Sequence, residues 1–142
     1  MTTFTEISKQ PDGYRALPLV PREAANLLWF SDFWDGPRSG MLEYNDERCW
    51  FEVIAENEDD DLTGWYRRFV IIRLTADQLA EEDRWHALFR ENVGWHTDYL
   101  EEAPGRYEGL CPQEQHQAFY AQYQKRVPLD LSNNEVLAWF EH

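Results

Sequence analysis

The chain has 142 residues, with 27 acidic side chains against 13 basic ones, and its net charge of −14 repels nucleic-acid phosphates and anionic membranes while attracting basic partners. That length can bury a core as a single domain without disulfides or a metal, and 7 Trp, 7 Tyr and 8 Phe argue against disorder. Cys49 and Cys111 form neither a disulfide framework nor a Cys-x-x-Cys pair, so they read as free thiols in a reducing, cytoplasmic setting.

The first residues, MTTFTEISKQPDGYR, hold no apolar segment of the kind a signal peptide needs. No apolar run approaches the ~20 residues that span a bilayer. Residues 1–19 are expected to form an irregular lead-in, broken by Pro11, Gly13 and Pro18. Pro21 can open a short helical turn through Ala25, because proline is tolerated at the first helical position.

A meander follows. Strands are expected over 27–33, 39–44 and 49–55, separated by the reversal signals Asp35-Gly36-Pro37 and Asn45-Asp46-Glu47-Arg48. In the third strand Cys49, Phe51 and Val53 share one face and Trp50, Glu52 and Ile54 the other. Neither set is wholly polar, so both faces are expected to be covered. The run Glu56-Asn57-Glu58-Asp59-Asp60-Asp61 reads as a solvated loop, since its like charges repel. A fourth strand over 65–74, with the apolar run Phe69-Val70-Ile71-Ile72, has the pattern of a central strand buried on both faces.

Thr75-Ala76-Asp77-Gln78 has the form of a capping box. The helix beyond it aligns Trp85, Leu88, Phe89, Asn92, His96 and Leu100 on one stripe, weakened at Gly94 and interrupted at Ala103-Pro104-Gly105. A second helix, 113–126, aligns His116, Phe119, Tyr120, Tyr123 and Val127 before Pro128. The segment Val136 to Phe140 fits an edge strand better than a last helix. The predicted fold is therefore α+β: an antiparallel sheet of about four or five strands in a meander, with two main helices on one face.

The run Asp35-Gly36-Pro37-Arg38-Ser39-Gly40-Met41-Leu42-Glu43-Tyr44, followed by Cys49-Trp50-Phe51-Glu52, resembles small acidic bacterial proteins that carry a D-G-P-x-S-G-x-x-E-Y hairpin and then an aromatic strand. In size and charge the chain is also similar to immunity proteins that neutralise toxins. That likeness is one of size and charge and assigns no residue a role.

Phosphate loops, His-Glu-x-x-His, nucleophile elbows and EF-hand patterns are missing from the sequence, and no cofactor is expected. Asp83-x-x-His86 sits at ligand spacing, but a di-iron bundle needs a second copy, so no metal site is expected. Cys111 and His116 lack a third group that would orient a thiol–imidazole pair. His96 and His116, with Asn92, are the weak catalytic candidates. They would line a pocket between sheet and helices in a small enzyme or ligand-binding domain.

The stronger reading is a surface. Trp34, Asp35, Tyr44, Trp50, Glu52, Trp65, Asp59 and Asp60 would form an aromatic and acidic docking face for a basic protein, with aromatic anchors for affinity and charge for steering. The expected function is then that of a non-enzymatic acidic interaction protein, immunity-like in role, that binds neither nucleic acid nor membrane. A structural subunit of a homo-oligomer is the third possibility.

Overall fold

The computed structural model describes residues 1–57, 64–94 and 111–142. They fall into two compact units, Met1–Thr75 with Asp130–His142, and Ala76–Leu129. The fold is α+β, as the patterning predicts.

The first unit is built on one antiparallel sheet of five strands in sequence order: β1 (Asn26–Phe33), β2 (Pro37–Tyr44), β3 (Glu47–Glu56), β4 (Arg67–Ile72) and β5 (Val136–Glu141). The C-terminal segment is thus a strand, as its β-branched and aromatic content favours. The polar tetrapeptide between β2 and β3 resolves into a two-residue loop. Asn45 and Asp46 both take left-handed backbone angles, φ 51° and 61°, which matches the twist of a tight hairpin.

Alternate residues of the strands meet in one core cluster of Leu42, Cys49, Phe51, Phe69, Ile71, Ala138 and Phe140. Within it Phe30 packs edge-on to Phe51 at 6.1 Å, Phe51 to Phe69 at 5.6 Å, and Phe69 stacks on Phe140 at 5.2 Å. Phe30 and Phe51 flank Gly40 in the β1–β2–β3 register. Met41, Trp50, Val70 and Ile72 on the opposite set are buried too, and every residue of β4 is buried. The expectation that both faces are covered is met.

The lead-in differs from the expected irregular segment. Thr3 caps a short helix, α1 (Phe4–Ser8): its hydroxyl accepts from the Glu6 N–H at 3.2 Å, and the Glu6 carboxylate accepts from the Thr3 N–H at 3.3 Å. The same segment runs along β5. The Val136 N–H donates to the Thr2 carbonyl, the Trp139 N–H to that of Pro18, and the Val20 N–H to that of Trp139. Backbone bonding, rather than side-chain pattern, therefore orders residues that proline and glycine make look unstructured.

The second unit contains α2 (Ala76–Asn92) and α3 (Gln113–Tyr123). Their stripes meet at Trp85, Phe89, Phe119 and Tyr123, with ring centroids 5.4–6.2 Å apart between the helices. Gly94, at φ 96°, closes α2, and its N–H joins that of Val93 on the Phe89 carbonyl. The helix α3 stops at Tyr123 rather than 126, and Val127 is 89% exposed instead of completing the apolar stripe. The proline that follows disfavours helical angles at Val127. No helix among the described residues is long and apolar enough to cross a membrane.

Candidate functional site

The reversal between β1 and β2 is a three-residue loop of Trp34, Asp35 and Gly36. Asp35 has φ 50° and Gly36 φ 118°, and the Trp34 N–H donates to the Gly36 carbonyl at 2.9 Å. Glycine is required at position 36 by that angle. A Cβ there would also stand 3.0 Å from Arg67 Nη1.

Arg67, at the head of β4 and only 2% exposed, organises this loop. Its Nη1 donates to the carbonyls of Asp35 at 3.1 Å and Pro37 at 3.3 Å, and its Nη2 donates to the Trp34 carbonyl. Nε donates to Glu56 Oε1 at 3.0 Å, and the guanidinium carbon lies 4.6 Å from the Tyr66 ring centre. Glu56 also accepts from Arg38 Nη1 at 2.6 Å, and the Arg38 Nε reaches Asp32 at 3.7 Å. The bond from Arg38, with a second from Arg67, holds the Glu56 carboxyl below its ordinary range. Arginine suits this place because its planar fork supplies five donors in fixed directions.

With three carbonyls turned onto one guanidinium, the loop presents its side chains outward. Trp34 is 72% exposed, Tyr66 is 50% exposed, and Asp35 is exposed beside Trp34. An apolar, electron-rich ring and a carboxylate are thereby displayed on a fixed backbone.

The remaining expected docking residues divide. Trp50 is a correction: at 3% exposure it cannot serve as a surface anchor. It lies in register between Met41 and Ile72, and its indole N–H donates to Glu52 Oε2 at 2.8 Å, so the ring is packed and its polar atom is used. Glu52 is half-buried; burial raises its pKa, the bond from Trp50 opposes that, and Asp32 adds to it. Tyr44 packs against the core cluster. The Trp65 ring is covered by Arg68, whose guanidinium carbon is 3.9 Å from the ring centre and whose Nη1 donates to the Tyr14 hydroxyl at 3.0 Å. Asp59 and Asp60 lie outside the described residues.

Trp34 and Asp35 are therefore the expected pair that the surface displays together. Tyr66 joins them through Arg67. The one sequence signal for Arg67 is an arginine pair, Arg67-Arg68, heading an otherwise apolar strand.

In the helical unit the Asn92 amide donates to the Leu88 carbonyl of its own helix at 2.8 Å. His116 is partly buried, and its Nε2 has no hydrogen-bond partner among the described residues. His96 lies outside them. The Cys111 thiol donates to the Glu91 carbonyl at 3.2 Å, which leaves it bound to helix backbone rather than to an imidazole. Glu82 is buried against Arg126 at 3.4 Å, and burial lifts its carboxyl above the ordinary range. Among the described residues no group of three His, Cys, Asp or Glu could hold a metal ion.

Comparison with protein-family models, with curated proteins and with solved structures finds no match for the chain.

Proposed function

We propose that the protein is a non-enzymatic, acidic interaction protein that binds a basic protein partner through the β1–β2 loop. Trp34 is the anchor, Asp35 is its charged neighbour and Tyr66 is the flanking ring. The observation that carries this reading is a tryptophan 72% exposed on a loop whose backbone is bonded to a buried arginine. A large ring on a fixed backbone has only its side-chain torsions to lose on binding, which suits an interface hot spot. The net charge of −14 would steer a cationic protein towards it and reject anionic ones. An immunity-like role, in which a basic protein is masked, suits this chemistry, and the buried Cys49 thiol is compatible with a cytoplasmic setting.

The test is affinity capture from an extract at low and at physiological salt with the wild-type chain and Trp34→Ala. A basic protein retained by the wild type, released as salt rises and lost with Trp34→Ala supports the reading. Equal retention by both chains removes Trp34 as the anchor, and retention of acidic proteins alone rejects the partner class.

A further inference from the structure

Arginine stacked on an aromatic ring is this chain's recurrent device. Arg68 lies 3.9 Å from the centre of Trp65, Arg126 4.0 Å from Tyr123, Arg67 4.6 Å from Tyr66 and Arg84 4.6 Å from Trp85. In all four the same guanidinium also touches a carboxylate: Arg67 with Glu56, Arg68 with Glu141, Arg84 with Glu81 and Arg126 with Glu82. Trp34 has the ring and the neighbouring carboxylate, yet among the described residues no arginine lies over it. Its backbone partners are known and its indole faces solvent.

We infer that Trp34 and Asp35 form a receptor for an arginine side chain of the partner, and that the site selects arginine over lysine. This rests on the β1–β2 loop being the docking surface. The planar, weakly hydrated guanidinium can lie flat on the indole while its edge donates to the Asp35 carboxylate, whereas a strongly hydrated ammonium meets only one of these groups well. Arg67 enforces the arrangement from beneath, since its bonds to the carbonyls of Trp34 and Asp35 fix where both side chains leave the backbone.

The experiment uses the full chain labelled with ¹⁵N at its tryptophan indoles. Two capped peptides are titrated at low salt, one alternating glycine with arginine and its twin with lysine. The Trp34 resonance is the signal absent from Trp34→Ala. It should shift with the arginine peptide, at a Kd about two- to fivefold lower than for the lysine twin. Trp34→Ala should abolish that difference, leaving the equal attraction of both peptides to an acidic chain. Asp35→Asn, which suits the left-handed angle at that position, should weaken the arginine peptide.

Equal Kd values with equal Trp34 shifts would overturn the arginine preference and leave the loop as the docking surface. Binding of both peptides without movement of the Trp34 resonance would overturn the loop reading as well. No shift at millimolar peptide rejects the receptor.

Discussion

Arg67 Nη2 donates to the carbonyl of Trp34, two residues that are 33 apart in sequence, so the head of β4 determines how the β1–β2 loop is held. Asp35 and Pro37 are bound by the same guanidinium. Replacing Arg67 with methionine keeps the bulk and removes every donor. Each buried acceptor left unsatisfied costs about 1–3 kcal/mol, so Arg67→Met should lose about 3 kcal/mol in urea unfolding and speed amide exchange at Trp34. Trp34→Ala should instead change stability by no more than ~0.5 kcal/mol, as expected of an exposed side chain. If Arg67→Met unfolds at the wild-type midpoint, the loop is not held by this residue.

Gly40 is required for a different reason, which is space. A Cβ there would stand 2.2 Å from the Trp29 carbonyl oxygen, 2.8 Å from Phe30 Cα and 3.0 Å from Phe51 Cε1. Two of these atoms belong to the backbone of the neighbouring strand and cannot swing aside. Gly40→Ala should therefore destabilise by about 1–3 kcal/mol or more through forced backbone shifts, although alanine is otherwise no worse in a strand. Thermal melts would reveal it, and an unchanged melting temperature would mean that β1 and β2 approach less closely than described.

Much of the meander was legible because its information is local. Asp35-Gly36 and Asn45-Asp46 supply residues that tolerate left-handed angles where the chain reverses, and alternation in β3 separates Phe51 from Trp50. Trp34 and Asp35 were legible for the same reason: they occupy a turn. The burial of Trp50 is not legible, because the sequence carries no record of which face is more fully covered, and a strand with apolar residues on both faces looks equally fit for core or interface. The capping pair Thr3 and Glu6 has the Thr-x-x-Glu signature, but Pro11, Gly13 and Pro18 obscured it. The role of Arg67 was not legible, because it depends on a contact between residues some 30 positions apart.

Thiol reactivity should divide the two cysteines. Cys49 is fully buried, and burial, helped by Glu47, pushes its pKa up to about 11. A thiolate is the reacting species, so both access and ionisation protect it. Cys111 is partly exposed, and its thiol donates to the Glu91 carbonyl. A disulfide reagent at pH 8 should titrate one thiol per native chain quickly and the second only after denaturant is added. Two fast thiols in the native chain would contradict the burial of Cys49.

Glu52 provides a pH test of the sheet. Burial raises its folded pKa above the ordinary 4.5, the bond from Trp50 opposes this, and Asp32 reinforces it. A carboxyl whose folded pKa exceeds its unfolded value binds its proton first in the native state. Its ionisation therefore weakens the fold as pH rises through the window from the unfolded to the folded value, and stability returns as pH falls back through it. Glu52→Gln keeps an acceptor for the Trp50 indole and removes the charge. The variant should be more stable than wild type at neutral pH, and the gap should narrow as pH falls and close below about 4.5, where the Glu52 carboxyl takes up its proton in the unfolded chain as well. Glu47 and Glu56, lowered by their bonds to Arg73 and Arg38, cost both proteins stability on further acidification and so cancel in the comparison. Paired urea melts between pH 8 and 4 measure the gap directly; a gap that stays constant across that range, or a variant weaker at neutral pH, would show that the Glu52 charge is well accommodated in the fold.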